Sequence, residues 1–384
     1  MTIFFIFHFF TIRNSDRALY KNIKQYTHAL KSTQTLERQP STQLRKDARK
    51  DIWTQERVHF QVNADHSKLT LRQKKDKVEA SEELENITCH NPIGKIVAKH
   101  GSFEYPEQQF LANQVICSHA LGTLEAQKAT LSTDETLLLE DGVMLKSADF
   151  SLQSRIALCE IQDKKQQIEF FKEIVIETLF GAKATGDKAI YLADHLRLYP
   201  EKPNTFCHLY YLDNCLQSNE IDFDLKNETI HCTHSEGTFQ NTLLFRSKHL
   251  NIQKDAMVLS ENVHLEQKNA FSIDSDSCSM TLDEESASRI EINHNVRFYS
   301  PQENETFAVA DTMIYYPKEQ TLILSAIAPK RVLFWQQGVR LSAPEIHIHQ
   351  QQFEGKGDVR FTFNLEEQGM IDHHISKYLH IPFL

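Results

Sequence analysis

Apolar and polar residues alternate with a period of two through much of the chain between Trp53 and Phe363. Val58-His59-Phe60-Gln61-Val62, Ile221-Asp222-Phe223-Asp224-Leu225, Glu345-Ile346-His347-Ile348-His349 and Val359-Arg360-Phe361-Thr362-Phe363 each give one dry face and one wet face. This alternation predicts strands of four to eight residues, half-buried and separated by Asn, Asp, Gly, Pro and Lys. Neither a sustained helical period nor a βαβ alternation is present there, which disfavours doubly wound and α/β-barrel enzymes.

Inside this texture one phrase keeps returning: a small or polar turn residue, then Val or Ile, then alternating apolar positions. It reads Asn86-Ile87-Thr88-Cys89, Gln114-Val115-Ile116-Cys117, Gly142-Val143-Met144-Leu145, Glu173-Ile174-Val175-Ile176, Asn262-Val263-His264-Leu265, Asn295-Val296-Arg297-Phe298 and Gly338-Val339-Arg340-Leu341. The first four Val/Ile positions lie 28, 28 and 31 residues apart and the last three 33 and 43 apart, so the chain carries a degenerate repeat. A spacing that drifts this far speaks against the near-constant rungs of a solenoid. Tyr105-Pro106-Glu107-Gln108-Gln109 and Tyr316-Pro317-Lys318-Glu319-Gln320 are nearly the same hairpin turn, each followed by an apolar strand. The two halves therefore carry the same unit, with Pro200 and Pro203 bracketing the expected seam. The expected organisation is a segment 1–50, a first β module 51–199, a second 204–365 and a tail 366–384.

The phase of the phrase selects a face. If Val143 points inward, so does Leu145, and the same holds for Val115 and Cys117, Ile174 and Ile176, Val263 and Leu265, Val296 and Phe298, and Val339 and Leu341. Stacked strand upon strand, these twelve side chains form one apolar stripe. At roughly 25 cal/mol per Å² of buried apolar surface, the stripe is suited either to an acyl chain or to its own opposing sheet.

Composition narrows the function. A net charge of −10 argues against a general nucleic-acid binder, whose phosphate contacts need concentrated basic surface. Lys74-Lys75 and Lys164-Lys165 sit between expected strands and read as solvated turns. The seven cysteines, at 89, 117, 159, 207, 215, 232 and 278, include no CxxC pair, so zinc is not expected. Cys89 and Cys117 occupy equivalent places in successive repeats, as core positions first and a disulfide second. Ile3 to Ile12 is an apolar run too short to span a bilayer as a helix, which takes about 20 residues. It reads as the remnant of a signal or anchor, a divergent export signal or a buried strand, and the polar stretch to Lys50 as a tether, partly helical from Asp16 to Leu30.

Catalytic patterns find no support. His347 and His349 share a strand face without a third ligand, His373-His374 falls in the tail, and Asp222 and Asp224 flank Phe223 as solvated carboxylates. Gly181-Ala182-Lys183-Ala184-Thr185-Gly186-Asp187-Lys188 lacks the Gly-Lys-Ser/Thr ending of a phosphate loop. No enzyme, metal or cofactor is expected.

Three segments carry a resemblance to a known family. They are Val97-Ala98-Lys99-His100-Gly101-Ser102-Phe103-Glu104-Tyr105 leading across a turn to Phe110-Leu111-Ala112-Asn113-Gln114-Val115, Ala126–Leu131 leading to Leu138–Leu145, and Val309–Tyr316 leading to Leu322 and Leu324. The unit resembles the repeat of OstA-like proteins, the family of the LptA and LptC periplasmic components of lipopolysaccharide transport. Glu173 departs from its Gly or Asn, and Asp194 to Cys215 fits it poorly. The resemblance implies an all-β fold, an elongated, folded-over antiparallel β-jellyroll in two tandem modules. It further implies a non-enzymatic, periplasmic protein, either released or anchored to the inner membrane through a segment incomplete in this sequence. Lipopolysaccharide or a related lipid would lie in a groove lined by the twelve stripe residues. Its protein partners would be other β-jellyroll envelope-transport proteins, joined by strand addition. The alternative from another class is a structural or adhesive surface β-repeat protein that carries no lipid.

Overall fold

The computed structural model describes residues 41–363 apart from the short connections 54–58, 75–76, 91–93, 106–108, 120–121, 132–135, 161–166, 212–213, 240–241, 284–285, 302–304, 337–338 and 350–351. The Ile3–Ile12 run, the segment expected to be partly helical, Lys164-Lys165, His373-His374 and the tail lie outside the described residues. Every regular element among the described residues is a strand, and the protein is all-β and antiparallel.

Two compact units emerge, one of residues 1–115 with 130–134 and one of residues 116–129 with 135–384. In the first, β1 (Ser41–Trp53), β2 (His59–Lys74), β3 (Lys77–His90) and β4 (Gly94–Glu104) pair in sequence order. The last ten residues of the expected tether thus belong to a strand. β5 (Gln109–His119) and β6 (Gly122–Leu131) each contribute residues to both units.

The second unit continues with β7 (Thr136–Lys146), β8 (Phe150–Glu160), β9 (Gln167–Thr178) and β10 (Lys183–Leu192), each hydrogen-bonded to the next. Next come the half-length strands β11 (His195–Tyr199), β12 (Cys207–Tyr211), β13 (Asn214–Ser218) and β14 (Glu220–Asp224). Full-length strands resume with β15 (Thr229–Phe239), β16 (Leu243–Gln253), β17 (Ala256–Gln267), β18 (Phe271–Asp283), β19 (Ser286–Ser300) and β20 (Thr306–Tyr316). Short strands close the described chain: β21 (Thr321–Ser325), β22 (Val332–Gln336), β23 (Val339–Ala343), β24 (Glu345–His349), β25 (Gln352–Lys356) and β26 (Arg360–Phe363).

The half-length strands explain why 194–215 fits the repeat poorly. β11 pairs with one end of β10 and β12 with the other, so together they fill one strand position, interrupted by the loop 200–206. β13 and β14 fill the next position, and β15 restores full length. Pro200 and Pro203 lie inside this loop, and pairing passes across the expected seam. The same device recurs where β21 and β22 share β20 around residues 326–331. In both places a mid-strand aspartate holds the loop: the Glu201 N–H donates to Asp187 Oδ2 at 3.1 Å and the Ile327 N–H to Asp311 Oδ2 at 2.8 Å. Lys330 also bonds Asp311, which keeps that carboxyl below its ordinary range. The second unit thus holds the same interruption of a strand position twice.

The recurring phrase marks a corner in the middle of a strand rather than a turn between strands. Its first residue has positive φ at Asn86 (51°), Gln114 (54°), Gly142 (87°), Glu173 (53°), Asn262 (57°) and Asn295 (54°), while Gly338 lies outside the described residues. Asp141, Lys172, Glu261 and His294, each one residue earlier, also have positive φ. Between Glu140 and Val143, and again between Ser260 and Val263 and between Asn293 and Val296, two residues oppose one on the partner strand. Such a bulge bends its strand and sharpens the local twist. Neighbouring strands answer with buried serines. Ser154, Ser218, Ser247 and Ser275 each donate Oγ–H to the carbonyl two residues on, at 3.1, 2.8, 3.0 and 3.3 Å. The carbonyl that the bend takes out of the ladder is satisfied in this way.

The outer side of the corners explains Glu173, the one phrase without Gly, Asn or Gln in its first position. Its carboxylate accepts from Arg155 Nε at 2.7 Å, as Glu261 pairs with Lys248 at 2.6 Å and Asp141 with Lys128 at 2.5 Å. Asn86 and Asn295 make the same step to Asp65 and Asp276. The charged pairs are exposed and add little stability of their own. They select polar residues for the ridge while the next residue turns inward.

Candidate lipid-binding interior

Bends at mid-strand give the second unit two arms that face each other. Phe150 and Tyr191 show it. Tyr191 pairs with Ile168 and Ile168 with Cys159, nine residues from Phe150 along β8. Straight strands would hold Phe150 and Tyr191 roughly 30 Å apart at about 3.3 Å per residue, yet their rings stack with centroids 6.2 Å apart. Phe271 meets Tyr315 at 6.5 Å and Phe334 meets Phe353 at 5.0 Å in the same manner. These aromatic pairs clasp the free margins of the arms.

Cross-strand partners on the first arm form one unbroken row: Leu145, Leu152, Ile176, Ala184, Leu209, Leu216, Gly237, Phe245, Leu265, Ile273, Phe298, Ala308, Phe334, Leu341 and Phe361. Every second member of the phrase in this unit from Leu145 onward lies on it. Leu145, Ile176, Leu265 and Leu341 are buried, and Phe298 is half-buried against Phe271. Val143, Ile174, Val263 and Val296 are buried one step nearer the corners, and Val339 is half-buried at the start of β23. Val115 and Cys117 are also buried. With strands about 4.8 Å apart, the row extends over roughly 65 Å of sheet.

The facing arm carries a second row that the phrase does not mark. It runs through Leu137, Cys159, Ile168, Tyr191, Leu196, Phe223, Ile230, Ile252, Met257, Met280, Ile290, Tyr315, Leu322, Ile348 and Phe353. Sequence alternation contained it, as in Ile221-Asp222-Phe223, but no repeated residue announced it. Met257, Met280 and nearby Met313 give the middle of this arm an unbranched, adaptable lining.

The margins part beside the loop that follows β9. A cleft of about 450 Å³ opens between Phe180 and Tyr211 of one arm and Ile230, Ile252 and Leu282 of the other, with Glu228, Gln253, Lys254 and Asp255 at its rim. Its volume lies within the roughly 300–1,000 Å³ of small-molecule pockets. Ile230 and Ile252 belong to the inner row, so the cleft brings the apolar interior to the surface. Burial and the Asp255 carboxylate push the Tyr211 phenol up, which keeps its hydroxyl protonated at the rim.

All seven cysteines are free thiols. Burial pushes Cys117 up to about 11 and Cys207 and Cys278 up to about 12, so these thiols behave as small apolar side chains. The polar groups set aside earlier have structural partners. Asp222 bonds His195 and Arg197, Asp224 bonds Asn227, His347 bonds Glu345 and His349 bonds Thr321. Lys183 to Asp187 of the glycine-containing segment lie in β10. No group of three or more metal-ligating side chains is assembled among the described residues.

In the first unit sequence reasoning missed a buried carboxylate. Glu82 accepts hydrogen bonds from Ser67 Oγ and Tyr105 Oη, both at 2.7 Å. Tyr105 opens the first Tyr-Pro turn, so this pair ties the turn to the interior of its unit. The acidic run Glu82-Glu83 held no signal to distinguish the buried member beyond its phase between Ala80 and Leu84.

No protein-family model and no curated protein matches the chain. Among solved structures it is similar to LptH. That protein is the LptA homologous periplasmic component of the conserved lipopolysaccharide transport device from Pseudomonas aeruginosa, with 10% identity, a TM-score of 0.29, and coverage of 32% of this chain and 94% of that one.

Proposed function

We propose that the protein is a non-enzymatic lipid carrier that holds the acyl chains of lipopolysaccharide, or of a related lipid, between the two arms of its folded-over sheet. The observation that supports this reading is the pair of facing apolar rows that reaches the surface at the Phe180, Tyr211, Ile230, Ile252 and Leu282 cleft. Acyl chains would run along the first-arm row, beside Val143, Leu145, Ile174, Ile176, Val263, Leu265, Val296, Phe298, Val339 and Leu341, with Val115 and Cys117 in equivalent positions. The methionines of the facing arm can repack around a guest at small cost, which a core of branched residues resists.

Among the described residues β1 pairs only with β2, and β25 and β26 only with β24 and β23. Backbone groups on such margins are templates for strand addition. The proposal includes edge-to-edge assembly with other β-jellyroll envelope proteins, forming a bridge across the periplasm. The periplasmic setting and inner-membrane association rest on the OstA-like resemblance of the sequence. A purely structural β-repeat is favoured by one observation, the near-complete closure of the interior away from the cleft.

Leu282→Trp separates the two readings, because the larger side chain fills the cleft without exposing the interior. Fluorescence titration with lipopolysaccharide is expected to show affinity at least about tenfold lower than wild type, with Val258→Trp on the outer face as the unaffected control. Equal affinity for both variants and wild type, or no binding by any, removes the carrier reading.

A further inference from the structure

Alternation places polar residues on the outer face of the second unit, and a patch on β19, β20, β22 and β23 departs from that rule. Tyr299, Phe307, Trp335 and Arg340 are successive cross-strand partners on β19, β20, β22 and β23. Beside them lie Arg297, Val309, Leu333, Ser342 and Arg360 in the same order. Leu333 is 56% exposed, Val309 49% and Trp335 45%. Arg297 and Arg340 make no ion pair among the described residues, and Arg360 shares Asp358 with Arg331. Two carboxylates lie close by: Asp274, the cross-strand partner of Arg297, is bonded by His264 at 2.7 Å, and Glu305 accepts from the Tyr299 hydroxyl at 3.3 Å.

Ring geometry narrows what can sit there. Centroids of Tyr299 and Phe307 are 4.7 Å apart and those of Phe307 and Trp335 5.4 Å, and the Arg340 guanidinium covers the Trp335 ring at 5.6 Å. The ring faces are therefore turned toward one another along the row, at tilts of 33° and 30°. Sugars and nucleobases bind ring faces, so neither suits this surface. A second copy docked through a two-fold axis would set the patch against itself, bringing its arginines together. Exposed aromatic rings and aliphatic tips beside guanidiniums match the boundary between lipid headgroups and acyl chains, where negative lipids attract the cations.

We propose that the Tyr299–Phe307–Trp335 stack, with Leu333, Val309, Arg297 and Arg340, is a docking surface for an anionic phospholipid bilayer. This surface is on the outer face and does not depend on lipid being carried between the arms. In a chain of net charge −10, contact through this arginine-bearing patch orients the second unit on the membrane.

The chain has two tryptophans, so a Trp53→Phe variant leaves Trp335 as the sole reporter. Its emission is expected to shift to the blue when phosphatidylcholine vesicles containing phosphatidylglycerol are added, and little with phosphatidylcholine alone. Co-sedimentation of the otherwise native chain with the mixed vesicles provides a second readout. Arg297→Gln with Arg340→Gln is expected to weaken binding about 30-fold, as two cations each contribute roughly fivefold at an anionic surface. Leu333→Ser should weaken it while leaving the thermal midpoint near that of wild type. Failure to bind mixed vesicles, or equal binding to both vesicle types, overturns the proposal. So does a concentration-dependent doubling of mass that Leu333→Asp abolishes, since that outcome places a second copy on the patch.

Discussion

Leu145→Asp is expected to lose at least about 4 kcal/mol of stability at neutral pH, enough to unfold much of a marginally stable domain. Leu145 has 0% exposure in the first-arm row, between Val143 and the β7 terminus, and pairs with Leu152. The substitution removes a buried aliphatic side chain and places a carboxyl where no donor is described. Burial raises the pKa of such a carboxyl above its unfolded value of about 3.9. The folded state then binds more protons than the unfolded state, so the variant is least handicapped below about pH 4 and loses stability as pH rises through the folded pKa. Leu145→Met, nearly volume-conserving, should cost less than about 1.5 kcal/mol. Urea denaturation at several pH values measures both. A Leu145→Asp variant as stable as the methionine variant at pH 7 would mean that the row is open to water.

Gly122→Ala carries the second large effect. Gly122 begins β6 with φ 138°, and an added Cβ would lie 2.1 Å from the Lys146 carbonyl oxygen and 3.0 Å from Ser147 Cα. Both obstacles are backbone, so no side-chain rotation relieves them. Backbone strain of about 1–3 kcal/mol combines with overpacking of similar size, giving an expected loss of roughly 2–6 kcal/mol. Gly142→Ala is the instructive comparison, because its positive φ opens onto free space and leaves strain alone. It should cost about 1–2 kcal/mol. Thermal melts of the two variants are expected to differ clearly, with Gly122→Ala the lower.

Much of the fold was legible in the sequence because alternation and burial share one cause. Ile221-Asp222-Phe223 announced a strand with a dry side, and Ile221 and Phe223 are indeed buried while Asp222 faces His195 and Arg197. The phrase identified a real row from Leu145 to Leu341, yet its first residue misled. Polar residues with positive φ serve hairpin turns and mid-strand bulges alike, and local sequence cannot tell the two apart. Glu173 looked like a departure because its role is the bond to Arg155 across the ridge, a partner 18 residues away. The facing row stayed hidden for a different reason. Residues such as Phe223, Met257 and Ile290 meet their opposite arm only after the strands bend, so no periodic signature links the two sets. The Pro200–Pro203 segment resembled a seam since an inserted loop and a linker share their composition. Only the pairing of β11 with β14 and β10 with β12 distinguishes them.

The Tyr-Pro turns tell the same story on a smaller scale. Gln320 closes the second turn with φ 49° and an N–H to the Pro317 carbonyl at 3.3 Å. Residues 106–108 of the first lie outside the described residues, but its Tyr105 is fixed through Glu82.

Photo-crosslinking from inside the fold tests the carrier account most directly. A benzophenone amino acid replacing Val143 or Val296, both 1% exposed or less, is irradiated with lipopolysaccharide, beside an outer-face control at Val258. The account predicts lipid adducts from the two interior positions and few from the control. Adducts from Val258 alone, or none from Val143 and Val296 while both variants remain folded, would contradict it.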